Sequence, residues 1–249
     1  MPIIRDEAVV LGQLDYSENS QILVLFTREH GKARSIAKGI RRGTKTKFAA
    51  GIDLLDVGTV VLSAKQERGE ALATLTEWKQ TEALSGLRGR LARLHAAMYA
   101  AELTTRLTED WDPHPRLFDY VMKTLRDLSV ADDVLTPTVR FQIALLRDIG
   151  AQPRFDACVL CGRSESLTHF SSFEGGLICR DCETVQVEKR EVGPKTIALL
   201  QGQRKDMPQS ATLLAAAFSL LNYHLSHLMS REPALANHVV PQRSQRRVE

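Results

Sequence analysis

All four cysteines of the chain stand in two CxxC pairs, Cys158 with Cys161 and Cys179 with Cys182, with seventeen residues between the pairs. In each pair the two thiolates can bend back onto one ion. The intervening stretch is long enough to bring the second pair to the same ion. Four soft sulfur ligands at this spacing suit a tetrahedral Zn2+, one per chain. Gly162 follows the first pair and Gly175-Gly176 precede the second. Glycine at these places permits the positive φ of a tight knuckle or hairpin. Two structural disulfides or two redox pairs are the alternatives, but a redox motif follows a βαβ pattern, and none precedes either pair. A four-sulfur site is coordinatively closed and leaves no position for substrate, so its role is that of a structural staple.

The 249 residues, 43% hydrophobic and 25% charged, allow one large domain or a few small ones. No run of eighteen apolar residues occurs, which excludes a transmembrane helix of ordinary length. The stretch Met1 to Glu7 lacks the apolar core of a signal peptide, so a reducing cytoplasm, where thiolates stay available to metal, is expected.

The first eighty residues read as β-structure. Apolar runs at 8–12, 20–27 and 57–63, with segments at 32–39 and 71–76, give five short strands, and His30-Gly31 marks a turn between the second and third. That count suggests a small closed barrel of the OB type. Within it lies an uneven charge. Between Arg28 and Lys47 eight basic residues face one acid, a net of +7, while the rest of the chain sums to −4. Lys32, Arg34 and Lys38 share one strand parity and so one face. Arg41, Arg42, Lys45 and Lys47 follow in a loop flanked by Gly39 and Gly43. Such a patch fits a phosphate backbone, although a charge run can also be a solvated face. Only Tyr16, Phe26 and Phe48 stand near it as aromatics, and Phe26 reads as core, so phosphates are expected to outweigh base stacking.

From residue 83 the period changes. Leu87, Leu91, Leu94, Met98 and Ala101 form one helical stripe; Leu117, Val121, Leu125 and Leu128 form another behind the start signal Asp112-Pro113; and Thr136-Pro137 opens a third helix ending at Gly150. After the cysteine module, Gly193-Pro194 starts a short helix, and Ser210 to Met229 makes a long one with Leu214, Ala217, Phe218, Leu221, Leu225 and Leu228 on one side. The expected architecture is α+β and multi-domain: an OB barrel over 1–80, a helical bundle over 81–153 and 187–240, an inserted four-cysteine zinc ribbon over 154–186, and a basic tail over 241–249. His169 is superfluous beside four cysteines. His224 with His227, and Asp53 with Asp56, are weak metal candidates without further ligands. No GxxxxGK[ST], GxSxG or HExxH motif occurs, and no catalytic constellation is assigned.

The ordered parts resemble the RecO family of bacterial recombination and repair proteins. Asp15-Tyr16-Ser17-Glu18-Asn19-Ser20, running into Leu25-Phe26-Thr27-Arg28-Glu29-His30-Gly31-Lys32, looks like that family's first hairpin. Ala37-Lys38-Gly39-Ile40-Arg41-Arg42 looks like its basic loop, and Phe173-Glu174-Gly175-Gly176-Leu177-Ile178-Cys179 like its second knuckle. The cysteines place the chain with the zinc-bearing branch. The resemblance implies a mediator without enzymatic turnover. It would bind single- and double-stranded DNA, anneal strands coated by single-strand binding protein (SSB), contact the SSB C-terminal tail, and with RecR help load RecA recombinase, in the cytoplasm and at the nucleoid. Lys38, Arg41 and Arg42 carry over as DNA contacts from the matching motif; Lys32, Arg34, Lys45 and Lys47 rest on charge. An RNA-binding or nucleic-acid-modifying zinc-ribbon protein is the alternative.

Overall fold

The computed structural model describes residues 3–39, 52–63, 72–202 and 210–240. The chain divides into two compact units, Met1–Asp132 and Asp133–Glu249.

The first unit is built on five strands, β1 (Ile3–Ser17), β2 (Ser20–Thr27), β3 (Gly31–Lys38), β4 (Val57–Ser63) and β5 (Ala73–Glu82), closed in the order β1-β2-β3-β5-β4. The OB-like barrel expected from the strand count is present. β1 runs well beyond the expected 8–12, because its first half pairs with β4 and its second half with β2. Bulges between Val10 and Gly12 and between Asp15 and Ser17 bend it from one partner to the other. Closure rests on a parallel pairing of β3 with β5 around Ile36 and Thr74, which leaves no open edge. Ala8, Val10, Leu23, Leu25, Ala33, Ala37, Val60, Leu62, Leu75 and Trp78 fill the interior. Alternate residues of β3 therefore point outward, Arg34 and Lys38 among them.

Two helices, α1 (Leu91–Leu107) and α2 (Pro115–Val130), belong to this same unit. Phe26 of β2 meets Phe118 at 6.0 Å between ring centres, and Arg28 pairs with Asp119. The stripe Leu117, Val121, Leu125, Leu128 is buried as expected. In α1 the expected stripe fails in part. Leu87 and Ala101 are buried as expected, but Leu91 is exposed and Leu94 and Met98 are half-buried, while Ala96, Ala97, Tyr99, Ala100, Leu103 and Thr104 complete the buried face. Alanines let the helix approach closely around the buried Tyr99 and Leu103, and the leucines at its start lie toward the outside. α2 begins one turn-residue pair later than Asp112-Pro113, with His114 as N-cap and Pro115 in the first turn. The earlier site is taken: the Trp111 N–H donates to the Lys32 carbonyl at 2.8 Å. A Cβ at Gly31 (φ +73°) would lie 1.9 Å from the Asp112 carbonyl oxygen, so that crossing requires glycine.

The second unit holds α3 (Leu135–Asp148), β6 (Leu167–Ser171), β7 (Gly176–Cys179), β8 (Arg190–Glu191), α4 (Pro194–Leu200), α5 (Ala211–Leu228) and α6 (Ala236–Val239). Asp133 caps α3 by accepting from the Leu135 and Thr136 amides at 2.9 and 3.3 Å. Ser210 caps α5 through the Leu213 amide. α5 packs on α3 and α4, and Leu214, Ala217, Phe218, Leu221 and Leu225 are buried while Leu228 is not. The three short strands form a sheet ordered β7-β6-β8.

Candidate metal centre and nucleic-acid interface

The first cysteine pair lies on a knuckle closed by Gly162, whose N–H donates to the Cys158 carbonyl at 2.8 Å with φ +78°. The second pair starts on the last residue of β7, and the Cys182 N–H donates to the Cys179 carbonyl at 3.1 Å. The β6–β7 hairpin brings the two knuckles together because Val159 N–H bonds to the Leu177 carbonyl and Leu177 N–H to that of Arg154. Gly176 sits where this crossing is tightest: a Cβ there would lie 2.5 Å from the Arg154 carbonyl oxygen. Arg163 and Asp181 join the knuckles by an ion pair.

The four sulfur atoms lie within 4.8 Å of one another, and Cys161 Sγ to Cys179 Sγ is 3.7 Å. A tetrahedron of Zn–S bonds of about 2.3 Å has S···S edges of about 3.8 Å, so the cage has the size for such an ion. All four thiols are free of disulfide bonding. Their protonation is uneven. Burial works against the Cys158 thiolate, but the backbone amides of Cys179, Cys161 and Leu160 outweigh it and bring the thiol down to about 6. Hydrogen bonding to the Cys179 and Cys161 sulfurs pushes Cys182 up to about 12. Four thiolates crowd one another and share protons; a divalent cation removes that conflict. The four cysteines are thus a possible metal site, and the only group of its kind among the described residues. His169 stands apart, paired with Glu183 at 2.6 Å.

The basic strand presents its cations in different states. Lys32 Nζ donates to the Thr105 and Thr108 carbonyls at 2.7 and 2.6 Å, lies 3.2 Å from Asp110, and has a side chain only 12% exposed. It caps the C-terminus of α1. Arg34 pairs with the other Asp110 oxygen at 2.8 Å and is half exposed. Lys38 is exposed at the end of β3. Arg41, Arg42, Lys45 and Lys47, with Phe48, lie outside the described residues.

An apolar row crosses this face. Leu14 pairs with Ile22, and Ile22 with Ile36, while Val24 stands opposite Arg34 and Ser20 opposite Lys38. Cross-strand partners share a face, so the aliphatic row lies between Arg34 and Lys38. Leu14 and Tyr16, by the hairpin bulge, are each 65% exposed. The row was legible only in part. Tyr16 stood near the patch, but Leu14 falls outside the run from which the first strand was read.

Family models for "Recombination protein O N terminal" and "Recombination protein O C terminal" match residues 1–84 and 88–233. The chain belongs to the recombination protein O family. The first match ends just beyond β5, so it spans the barrel of this RecO family member. The chain is 36% identical over 183 residues to the "DNA repair protein RecO" of Rhodopirellula baltica, covering 72% of this chain and 67% of that protein. The protein of that name from Myxococcus xanthus is 31% identical over 235 residues, 91% of this chain and 92% of the relative. That of Bacillus subtilis is 30% identical over 199 residues, 80% and 76%.

The weaker metal candidates of this RecO family member have other partners. His224 is buried, with Nδ1 2.8 Å from Ser172 Oγ and Nε2 3.1 Å from the Ala151 carbonyl oxygen. His227 packs edge-on to Tyr223 and Phe173. Asp53 accepts from the Leu54 amide and from Arg88 at 2.8 Å each, and Asp56 accepts from the Asp53 amide. This is a loop brace below β1. No described helix is long and apolar enough to cross a membrane.

Proposed function

We propose that the chain is a DNA repair and recombination mediator that binds single- and double-stranded DNA through its barrel and anneals complementary strands. With RecR it helps load RecA onto DNA coated by SSB, whose C-terminal tail it also contacts. The observation that carries this reading is the outward face of β1–β3, where Arg34 and Lys38 flank an exposed aliphatic and aromatic row. OB barrels bind oligonucleotides on this face. Lys38, Arg41 and Arg42 are the principal phosphate contacts, with Arg34, Lys45 and Lys47 beside them. Lys32 is given to α1. Annealing then needs no catalytic group: the cations screen two phosphate backbones from each other, and base pairing sets the register. The protein acts without turnover of its own, in the cytoplasm and at the nucleoid.

Zn2+ is the ion whose chemistry fits the cysteine cage, one per chain. The four thiolates hold it closed, and its contribution is to fix the hairpin against the helices of its unit. The test of the DNA reading is a salt titration of oligonucleotide affinity for the intact chain and for Lys38→Glu, Arg41→Glu, Arg42→Glu. The variant should remain folded and lose DNA binding and annealing. Affinity equal to that of the intact chain at every salt concentration would overturn the reading.

A further inference from the structure

A groove of about 750 Å³ lies within the second unit, between the tip of the β6–β7 hairpin, β8, α5 and α6. No cysteine is among its lining residues, and it belongs to no role assigned so far. Four planar groups line it in contact. The Phe173 ring, 77% exposed, lies 5.7 Å from His227; His227 lies 4.6 Å from Tyr223; and the Arg190 guanidinium covers Tyr223 at 4.4 Å. These groups are held in place. Glu188 accepts from the Tyr223 hydroxyl, from Ser171 Oγ at 2.5 Å, and from the Ser172 and Phe173 amides at 3.1 Å each. The tyrosine ring and the backbone beneath Phe173 are thus fixed before any ligand arrives.

The remaining lining favours one ligand chemistry. Arg190 and Arg231 supply cations, and Glu232 is the one carboxylate among the lining residues. Asn237 and Ser230 offer an amide and a hydroxyl, and Leu228, Ala236 and Val240 complete the lining; Asn222 is buried and the Ser226 hydroxyl donates to its carbonyl. Planar faces for a base, an amide and a hydroxyl for its edge and guanidinium groups for a phosphate are the requirements of a nucleotide unit in a single strand. We propose that the groove binds such a unit of single-stranded DNA, giving the chain a second nucleic-acid contact besides the barrel. The inference rests on the reading of the chain as DNA-binding, and deepens it: annealing requires two strands to be held, and this supplies a place for the second.

The test uses the full, zinc-loaded chain with Phe173→Trp and Phe173→Ala, both at an exposed position. Beyond any change in the parent chain, whose own indoles are Trp78 and Trp111, oligo(dT) should quench the fluorescence added by Phe173→Trp, and dTMP should do so only at far higher concentration. A saturating response to dTMP at the same concentration would mean a mononucleotide site and overturn the strand assignment. Phe173→Ala should lower the affinity for oligo(dT) about tenfold, as loss of one stacked base does. It should slow annealing and leave the salt dependence unchanged, because no charge is removed. Arg190→Ala should instead shallow that salt dependence. An indole that is silent to oligo(dT), or that answers only to a peptide, in a chain that still binds oligo(dT) sinks the groove alone. A chain that binds no oligo(dT) at all sinks the DNA reading with it.

Discussion

Lys32 shows how a basic residue on the expected DNA face can be a structural part, and Lys32→Met tests it. Its ammonium makes two charge-assisted hydrogen bonds to carbonyls at the end of α1, at 2.7 and 2.6 Å, and approaches Asp110 at 3.2 Å. Bonds to a charged group contribute about 1.5–3 kcal/mol each, and a cation at a helix C-terminus adds about 0.3–1 kcal/mol. Part of this is offset by the desolvation of an ammonium whose side chain is only 12% exposed. Methionine keeps the aliphatic stem and leaves two carbonyls without a donor, so the net loss is about 2–4 kcal/mol. With a urea slope of about 2 kcal/mol/M, the midpoint of unfolding of the first unit should fall by about 1–2 M. Circular dichroism in urea reads that shift directly. Oligonucleotide affinity, measured where the variant is folded, should stay within about twofold of the parent, with the same salt slope. If the midpoint does not move and the salt slope drops by about 0.7, the value for one phosphate contact on a single strand, then Lys32 contacts DNA and the reasoning is wrong.

Two further outcomes follow from the second unit. Replacing Cys158 and Cys161 together by serine should take the zinc content from about one per chain to none and unfold the hairpin, since structural zinc sites contribute about 10 kcal/mol or more; metal analysis and near-ultraviolet dichroism check this, and DNA binding by the barrel should persist. Burial holds the His224 imidazole below its ordinary value of 6.5, so the folded state prefers the neutral ring. The stability this confers is complete above pH 6.5 and falls as the pH drops toward the lower folded value; His224→Gln should flatten that part of the stability profile, and an unchanged slope would refute it.

The cysteine spacing was enough to read a four-sulfur cage, because CxxC turns are local and the second pair needs only a hairpin to reach the first. Glycine at 162 and 175 marked the turns, and the structure has both at positive φ. The barrel was legible for the same reason: its strands are short runs with turn residues between them. What escaped was set at long range. The second half of β1 is an exposed hairpin arm whose alternation is broken by bulges, so the strand read short. Much of the buried face of α1 is alanine, which hydrophobic period underweights, and Leu91 and Leu94 drew the middle of the stripe away from Tyr99 and Leu103. Nothing near Lys32 announces Thr105, Thr108 or Asp110, more than seventy residues along. The grouping of α1 and α2 with the barrel follows from those contacts and from Phe26 on Phe118.

These long-range pairings change the electrostatics of the interface. Read from sequence, seven cations, Lys32, Arg34, Lys38, Arg41, Arg42, Lys45 and Lys47, face a phosphate backbone. If each displaced one counterion from a single strand, the slope of log affinity against log salt would be about −5. Lys32 is held by α1, and Arg34 already neutralises Asp110 at 2.8 Å. A cation with a carboxylate partner releases little on meeting a phosphate, since it exchanges one anion for another. If the other five, four of them outside the described residues, each displace one counterion, the expected slope is about −3.5 for a chain in which Arg190→Ala and Arg231→Ala remove the groove's cations. Asp110→Asn should then raise affinity and steepen the slope toward −4 by freeing Arg34, without loosening Lys32 from its two carbonyls. A measured slope near −5 in that same background would mean that DNA breaks both pairings, and that the helix end is a contact surface after all.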